Sequence, residues 1–188
     1  MTDKKYLFKS DRLGFRNWEM EDIPKMYAIN SDPKVMEYFP FIPTYGQTES
    51  FVGQMLIQFQ KKGFCYFAVE TLSVGKFIGF IGLSEKDFKT TFSPFVDIGW
   101  RLGKYAWGKG YGTEGAERCL AYAFEELKLE KVMSLAPVVN QKSIHVMEKI
   151  GMHKVTTFKH PQLKEDKRLE SCFLYQISNK EWKTKLKI

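Results

Sequence analysis

Cysteines and long apolar segments are scarce in this 188-residue sequence, and their scarcity argues against two classes of protein. The three cysteines, Cys65, Cys119 and Cys172, lie far apart without C-x-x-C spacing, which predicts a reducing compartment and no disulfide framework. No apolar run is long enough to span a bilayer, and residues 1–5 show no apolar signal segment. We therefore expect a cytoplasmic protein without a membrane partner.

Metal ligands and covalent nucleophiles are also poorly represented. The three histidines, at positions 145, 153 and 160, have no carboxylate cluster at metal-ligand spacing, so no metal is predicted. The sequence has no G-x-S-x-G elbow and no convincing Cys–His pair, and Cys119 falls on the apolar face of a predicted helix. These absences argue against an enzyme that forms a covalent intermediate on its own side chain.

Positive charge and aromatic residues, by contrast, are plentiful: the formal net charge is +7, and Phe, Trp and Tyr make up 15% of the chain. A basic surface attracts nucleic acid, acidic protein or an anionic cofactor. The charges are scattered and no basic helix with base-reading residues is evident, so no nucleic-acid partner is predicted. The length favours one domain over residues 1–188, with the oligomeric state open between monomer and homodimer.

Apolar periodicity and turn residues predict an α/β chain of the α+β kind. Helices are expected at residues 20–30, 33–38, 48–62, 111–127 and 142–150, with a final helical turn at 179–182. Strands are expected at residues 12–17, 64–71, 76–84, 95–102, 131–136, 152–160 and 169–178. No repeat, low-complexity segment or linker divides the chain.

A glycine-rich turn, Trp107-Gly-Lys-Gly-Tyr-Gly-Thr113, joins the strand at residues 95–102 to the helix at residues 111–127. Its glycines let the backbone approach a ligand closely, and the helix N-terminus behind it adds unpaired N–H donors and a partial positive charge. This combination predicts an anion site, most naturally for a phosphate. A tight turn with a well-packed helix start is the alternative.

Nucleotide binding offers two further interpretations of this turn. Gly110-Tyr-Gly-Thr-Glu-Gly115 matches the dinucleotide fingerprint, but the next strand, at residues 131–136, runs into Pro137 without an acidic residue for a ribose. A nucleoside-triphosphate loop needs Gly-Lys-Ser/Thr, whereas Lys109 is followed by Gly110. A dinucleotide-dependent oxidoreductase is therefore disfavoured, and a non-catalytic module that binds CoA or a nucleotide remains a rival.

Motifs after the turn make the interpretation more specific. Asn140-Gln-Lys-Ser143 begins a predicted helix that ends at Glu148-Lys-Ile-Gly151. The order of strand, glycine turn, helix, strand, N-x-x-S and E-K-x-G resembles the acetyl-CoA-binding core of the GNAT superfamily of N-acetyltransferases. The segments Asp97-Ile-Gly-Trp-Arg-Leu102 and Asp11-Arg-Leu-Gly-Phe-Arg16 resemble the branch that includes the ribosomal-protein-alanine N-acetyltransferases.

The resemblance implies a GNAT fold with a mixed, mostly antiparallel sheet of roughly six or seven strands flanked by helices. A splayed strand pair in that sheet would hold the pantetheine arm of acetyl-CoA, and Gly99 is the candidate bulge for the splay. The residues implied for cofactor binding are Ile98, Trp100, Leu102, Trp107, Gly108, Lys109, Gly110, Tyr111, Gly112, Thr113, Asn140, Ser143 and Met147.

Two positions depart from the family pattern. Trp107 stands where Gln or Arg is usual, which removes one polar contact to the cofactor. Met147 stands where many members have a tyrosine general acid, so a proton for the departing thiolate must come from elsewhere or from water. Ser143 is the candidate for protonating or hydrogen-bonding that thiolate, with an ordinary contact at the helix start as the alternative.

Asp97 is the candidate general base, because it stands on the strand where several GNAT enzymes have a catalytic carboxylate. A structural ion pair with Arg101, on the same strand face, is the alternative. The candidate acceptor-binding residues are Phe39, Phe41, Tyr45, His160 and Tyr175. Packing under a loop is the alternative for the first three, and a structural role is the alternative for His160.

The sequence therefore predicts an acetyl-CoA-dependent N-acetyltransferase that acetylates a primary amine by direct attack. The acetyl group arrives already activated on its carrier, so no enzyme nucleophile is needed. The acceptor is left open among a protein N-terminus, a small amine and an amino-sugar antibiotic.

Overall fold

The computed structural model describes residues 5–185 of the chain. Outside this range lie residues 1–4 and 186–188. The first of these two segments contains most of the residues from which the absence of a signal segment was predicted. Among the described residues, no helix combines the length and the apolar character that crossing a membrane requires.

Eight strands form one sheet within the described residues, in the order β1-β2-β3-β4-β5-β6-β8-β7. The strands are β1 Phe8–Lys9, β2 Leu13–Arg16, β3 Tyr66–Thr71, β4 Lys76–Lys86, β5 Phe95–Leu102, β6 Lys131–Pro137, β7 His153–Lys159 and β8 Ser171–Ser178. The mixed, mostly antiparallel fold class is confirmed. The sheet has one strand more than the seven listed from the sequence, because the two-residue strand β1 gives too short a pattern to detect.

The parallel pair β5–β6 divides this otherwise antiparallel sheet. Neighbouring strands from β1 to β5 pair antiparallel in chain order, and β8 lies between β6 and β7. In the described part of the chain, the backbone register of β5 and β6 is limited to Asp97 opposite Met133. The Ser134 hydroxyl adds one bond of 2.8 Å to the Ile98 carbonyl, and beyond it the two strands separate. This is the predicted splay.

Five helices flank the sheet in the described range: α1 Asp22–Asn30, α2 Tyr45–Lys62, α3 Tyr111–Ala121, α4 Gln141–Lys149 and α5 Asn179–Lys185. A π-helical turn, Tyr122–Glu126, extends α3. α2 begins three residues before the predicted position, because Thr44 caps it: the Thr44 hydroxyl accepts from the Gln47 amide, and the Gln47 side chain accepts in return.

The helices divide between the two faces of the sheet around β4 and β5. Ile81 and Trp100 are opposite each other in the ladder, and the Ile81 side chain fits against Gly115 on α3. The next pair, Phe80 and Arg101, points to the other face, where the Phe80 ring lies 5.2 Å from the Phe51 ring of α2. We call these the α3 face and the α2 face.

Two local predictions were wrong. The predicted helix at residues 33–38 is a series of turns, although Pro33 is compatible with a helix start. Gly99 is not a bulge in the β4–β5 ladder, because it stays in register opposite Gly82. One register shift lies in the preceding β3–β4 ladder, where Val69 pairs with the left-handed Gly79 and Glu70 pairs with Phe77. Another lies between Lys154 and Thr156 in the β7–β8 ladder.

A buried ionic network attaches α1 to the sheet. Arg16 on β2 donates to both carboxylate oxygens of Asp22, at 2.6 and 2.8 Å, and to Glu70 on β3, at 2.7 Å. Despite burial, the Arg16 guanidinium holds the pKa of Asp22 below its ordinary value, and Lys5 together with Arg16 does the same for Glu70. Since removing one partner would leave a buried charge unpaired, this network fixes the position of α1 over the sheet.

Candidate active site

The glycine-rich turn presents backbone rather than side chains at the start of α3. Gly108 and Gly110 have φ of 71° and 78°, values that a side chain disfavours, and Gly110 is the N-cap of α3. Among residues 5–185, no side chain caps this helix start. The first N–H groups of α3 therefore lack a side-chain acceptor and are oriented as an anion site requires.

Residues before β2 hold the turn in place. Glu114, in the first turn of α3, accepts from the Ser10 hydroxyl at 2.7 Å and from the Arg12 side chain at 2.6 Å. The Arg12 guanidinium also donates to the Lys109 carbonyl at 2.9 Å and lies 4.8 Å from the centre of the Tyr111 ring. These contacts stabilise the turn from the side of Tyr111, while Gly108 and Lys109 remain exposed.

Trp107 is fixed by a contact within the site. Its indole N–H donates to the Leu102 carbonyl at 2.8 Å, and the Lys142 ammonium lies 4.6 Å from its ring. The indole thus connects the end of β5 with the start of α4. Lys142 and Lys109 are exposed cations close to the turn, where they favour the binding of a phosphate.

The start of α4 contains the other predicted cofactor residues. Asn140 is its N-cap, and the Asn140 side-chain oxygen accepts from the Ser143 amide at 3.2 Å. The Ser143 side chain is half-buried on the first turn, whereas Met147 is buried in the core. Gly112, on the first turn of α3, lies opposite Val146 of α4, and a Cβ added at Gly112 would be 3.9 Å from the Val146 side chain.

The predicted pantetheine residues of β5 point to the α3 face. Ile98 and Leu102 are buried and Trp100 is half-buried, and all three belong to the main core cluster. The Ile98 carbonyl is engaged by Ser134 at the last contact between β5 and β6. The backbone of β5 beyond that contact borders the gap that the splay creates.

Asp97 lies on the α2 face at the point where β5 and β6 are still paired, and it is buried. The Tyr66 hydroxyl of β3 donates a hydrogen bond to its carboxylate. Burial raises the pKa of Asp97 to about 6, although the Lys86 charge and the Tyr66 hydrogen bond both lower it. A carboxylate with a pKa near 6 is ionised at neutral pH and still basic enough to accept a proton.

Gly99 provides the space for the contact between Tyr66 and Asp97. A Cβ at Gly99 would lie 3.1 Å from the Tyr66 ring and 3.2 Å from both the Tyr66 hydroxyl and the Asp97 carboxylate. Gly82, opposite Gly99 on β4, similarly leaves room for the β3 backbone. Gly99, which the sequence predicted to be a bulge, therefore leaves space that the Tyr66 ring fills.

Arg101 does not pair with Asp97, so the alternative of an ion pair between these two residues is wrong, whereas the role of Asp97 as a base stays a prediction. The Arg101 guanidinium donates to the Asn30 side-chain oxygen of α1 at 2.8 Å. It lies 4.0 Å from the centre of the Phe39 ring and 5.5 Å from that of Phe80. Its Nε is buried without a hydrogen-bond partner among residues 5–185, and burial lowers the pKa of Arg101 to about 10.

The predicted acceptor residues are not all in one place. Phe39 is half-buried against Arg101 on the α2 face, close to the strand that bears Asp97. Phe41 and Tyr45 are 57% and 47% exposed, and Tyr45 packs edge-on against Tyr27. Of the three loop aromatics, only Phe39 is in contact with a β5 side chain of the α2 face.

His160 and Tyr175 lie on the C-terminal side of the splay. His160 is buried beside the Phe88 ring, at 4.8 Å, and burial and the Lys86 charge lower its pKa. Lys86 influences the pKa of both His160 and Asp97, and its ammonium lies 4.9 Å from the centre of the Tyr66 ring. Tyr175 is buried on β8 and donates to Glu148 of α4 at 3.1 Å.

Tyr66 and the Arg101–Asn30 contact are the features that sequence reasoning missed. Tyr66 belongs to a strand whose residues are all buried, so alternation gives no clue that one side chain has a polar partner. The usable signal was the pair of strand glycines, Gly82 and Gly99, because glycine inside a strand often marks a close approach. Among residues 5–185 no cluster of metal-ligating side chains is found, and the absence of a metal stays a prediction.

Known proteins resemble the chain over most of its length. The family model described as Acetyltransferase (GNAT) domain matches residues 12–153. The uncharacterized N-acetyltransferase YnaD of Bacillus subtilis is 27% identical over 172 residues, which cover 91% of this chain and 96% of YnaD.

Solved structures share the fold. An acetyltransferase (GNAT family) from Bacillus anthracis gives a TM-score of 0.77 at 28% identity, covering 92% of this chain and 98% of that chain. The ribosomal-protein-S5-alanine acetyltransferase from Vibrio fischeri gives a TM-score of 0.72 at 20% identity, covering 93% of this chain and 97% of that chain. At 20% identity, the second likeness concerns the fold alone.

The chain therefore belongs to the GNAT acetyltransferase family and is an N-acetyltransferase. The predicted family and enzyme class are confirmed, and the oxidoreductase alternative is set aside. Members of the family use acetyl-CoA as the acetyl donor.

Proposed function

We propose that the protein transfers the acetyl group of acetyl-CoA to a primary amine by direct attack, with Asp97 as the general base. The observation that supports this most is the placement of Asp97. It is a buried carboxylate with a pKa of about 6, at the point where β5 and β6 separate. A base of this kind is ionised at neutral pH and matched to proton abstraction near that pH.

The residues around the splay fit acetyl-CoA. The turn from Gly108 to Gly112 has the left-handed glycines and the helix start without a side-chain cap that bind a pyrophosphate in other proteins. The gap between β5 and β6 offers strand backbone groups to an extended chain containing amides, such as pantetheine. When bound, acetyl-CoA supplies an activated acetyl thioester.

Proton handling is then divided between two positions. Asp97 takes the proton of the ammonium group, directly or through a water molecule, and so gives a neutral amine that can attack the thioester carbonyl. Ser143, on the first turn of α4, would donate a hydrogen bond to the sulfur as the thiolate leaves. Met147 is buried and has no proton to donate, which makes Ser143 or water the source.

Direct attack is favoured because the thiols are poor nucleophiles. Burial raises the pKa of Cys65, Cys119 and Cys172, so all three remain protonated at neutral pH. A protonated, buried thiol is unsuited to forming an acetyl-enzyme.

The experiment combines initial-rate kinetics with mass spectrometry. A primary amine, its N,N-dimethyl analogue and the corresponding alcohol are tested as acceptors, and CoA release and acetylated product are measured together. We expect the primary amine alone to give product, with intersecting double-reciprocal lines and no acetylated protein when the acceptor is omitted. Parallel lines with an acetyl-enzyme would overturn direct attack, and acetylation of the alcohol alone would overturn amine transfer.

A further inference from the structure

The α2 face contains a half-buried cation, Arg101, that pairs with no carboxylate among residues 5–185. Arg101 is held by one hydrogen bond, to Asn30, and by two aromatic rings. Its Nε is shielded without a partner, and none of the ion pairs among residues 5–185 includes it. Leaving a buried donor without a partner is unfavourable, and more so when the group is charged.

The neighbouring side chains hold Arg101 in one orientation. Asn30 accepts from Arg101 through its oxygen and donates through its side-chain nitrogen to the Thr48 hydroxyl of α2, at 3.1 Å. Phe39 and Phe80 contact the guanidinium as well, and aromatic rings orient a cation without neutralising it. Arg101 is half-buried as a residue, so part of its side chain or backbone keeps accessible surface on the α2 face.

Arg101 lies on the same sheet face as Asp97, and the Tyr66 ring packs over Gly99 between them. The glycine-rich turn, in contrast, leads into α3, which covers the opposite face. A ligand that reaches Arg101 from the α2 side is therefore the acceptor and not the phosphates of the cofactor.

We infer that the acceptor amine carries an anionic oxygen group, a carboxylate or a phosphate, which Arg101 binds while Asp97 receives the amine. This inference rests on the proposed function and names its substrate class. The guanidinium plane matches both groups in a two-pronged contact. Because four strand residues span about 13 Å, the anionic group lies several bonds from the amino nitrogen.

The charge balance around Asp97 supports the same class of acceptor. Lys86 is close enough to Asp97 to lower its pKa, and Arg101 adds a second positive charge on the same sheet face. Burial and the Lys86 charge lower the pKa of His160, so it adds no negative charge and favours its neutral form. A polycation would therefore meet two positive charges and one carboxylate. We expect a polyamine such as spermidine to be a poor acceptor.

The test compares matched acceptors with and without the anionic group. The acceptors are 6-aminohexanoate, its methyl ester, 6-aminohexyl phosphate, spermidine, and two peptides that differ only by Asp or Asn at the third position. We expect each anionic acceptor to exceed its neutral partner in kcat/KM, with the difference mainly in KM. A higher kcat/KM for 6-aminohexanoate than for 6-aminohexyl phosphate would identify the anionic group as a carboxylate, and the reverse would identify it as a phosphate. Comparison of the peptides with the small amines shows whether the acceptor is a protein N-terminus or a small molecule.

Arg101→Gln removes the charge. We expect kcat/KM for the preferred anionic acceptor to fall ~30-fold or more, the low end for truncating one partner of a buried charge pair, and the neutral ester to change little. Arg118→Gln is the matched control, because Arg118 also lies over a ring, that of Phe8 at 4.6 Å, and donates to a backbone carbonyl. Arg101→Lys keeps the charge without the planar fork, and we expect it to lose part of the preference.

A binding measurement tests the inference even if the acceptors are turned over too slowly or Arg101→Gln does not fold. Calorimetry with N-acetyl-6-aminohexanoate and its methyl ester, in the presence of CoA, reports the anion preference of the wild-type protein and of a folded Arg101→Lys variant. Tighter binding of the acid that weakens in the variant supports the inference. Equal binding of acid and ester overturns it, whereas an enzyme that acetylates no primary amine contradicts the proposed function instead.

Discussion

The two sides of β5 use different physical means to build the proposed active site. On the proposed cofactor side, the turn at residues 107–113 has exposed backbone, and Lys109 and Lys142 near it are exposed cations. On the proposed acceptor side, Tyr66 and Asp97 are buried and Arg101 is half-buried, and burial shifts the pKa of all three. Amide donors do not titrate, so we expect the cofactor side to be insensitive to pH and the acceptor side to be controlled by it.

The largest expected effect is on turnover, and it separates the two sides most directly. Asp97→Asn keeps the shape of the side chain and removes the base, so we expect kcat to fall by about 10²-fold or more while acetyl-CoA affinity stays within a few-fold. The loss shrinks as pH rises, because more of the amine is neutral without help. Rates and acetyl-CoA binding are measured from pH 6 to pH 9.

Glu85→Gln is the control for this variant, since Glu85 is an exposed carboxylate on the adjacent strand, paired with Lys62. We expect it to leave the pH profile unchanged. An Asp97→Asn enzyme with near-normal turnover across the whole pH range would assign Asp97 a structural role. It would also contradict the proposed contrast between a pH-insensitive cofactor side and a pH-controlled acceptor side.

The same substitution should stabilise the protein. The folded-state pKa of about 6 exceeds the ordinary value of 3.8, so the folded state binds this proton more tightly than the unfolded state. Its contribution to stability is therefore greatest below about pH 4 and is lost as pH rises through about 6, a total of about 3 kcal/mol. Asn does not ionise and can still accept from Tyr66, so we expect Asp97→Asn to melt up to roughly 10 °C higher at neutral pH.

Melting curves at several pH values test this expectation. The difference between variant and wild type should be small near pH 4 and should grow through pH 6, whereas Glu85→Gln should show no such trend. A variant that melts lower than the wild type at neutral pH would show that the Asp97 charge stabilises the fold, in contradiction to the burial argument.

Tyr66→Phe tests the acceptor side at a second position. The Tyr66 hydrogen bond lowers the pKa of Asp97, so its removal should move the midpoint of the kcat/KM profile to higher pH. A hydrogen bond to a charged group contributes about 1.5–3 kcal/mol, which corresponds to a move of roughly one to two pH units. Tyr105→Phe is the control, because the Tyr105 hydroxyl donates to the Phe77 carbonyl, away from Asp97. An unmoved midpoint would contradict the role given to Tyr66.

The smallest effect belongs to the cofactor side. Gly112→Val places a branched side chain on the first turn of α3, facing Val146, and we expect acetyl-CoA affinity to fall at least tenfold, about 1.4 kcal/mol. Gly53→Val on α2, where an added Cβ meets nothing within 4 Å, is the control. Calorimetry of both variants at two pH values shows whether the loss is independent of pH. Unchanged affinity in folded Gly112→Val would mean that the phosphates bind elsewhere.

These two sides also differ in how well the sequence predicts them. The turn could be located because its determinants are local: three glycines in five residues, a following helix, and the Asn140–Ser143 motif at the next helix start. The contact between Tyr66 and Asp97 could not, because it depends on the register of three strands, in which Tyr66, Gly82 and Gly99 are aligned. Spacing along one strand suggested that Asp97 and Arg101 pair with each other, but Asp97 accepts from Tyr66 of β3 and Arg101 donates to Asn30 of α1.

The position of α1 is itself a long-range consequence of sequence. Its first turn contains Asp22, whose contact with Arg16 and, through it, Glu70 fixes the helix over β2 and β3. A motif search finds Arg16 and Asp22 but gives no indication of Glu70. The start of α2, on the other hand, was predictable from Thr44 and Gln47, which have the spacing of a capping box.

The narrow contact between β5 and β6 also bears on the order in which the chain folds. Strands β1 to β5 pair with their sequence neighbours, whereas β6 joins β5 only after the crossover through α3. A junction with so little backbone pairing gains little until the strands on each side are formed, while closing its loop has an entropic cost. We therefore expect strands β1 to β5 and strands β6 to β8 to form their own ladders first and to dock against each other last. The slot for the acetyl donor would then form in the final step of folding, and a chain arrested before that step would have a complete meander but no catalytic site.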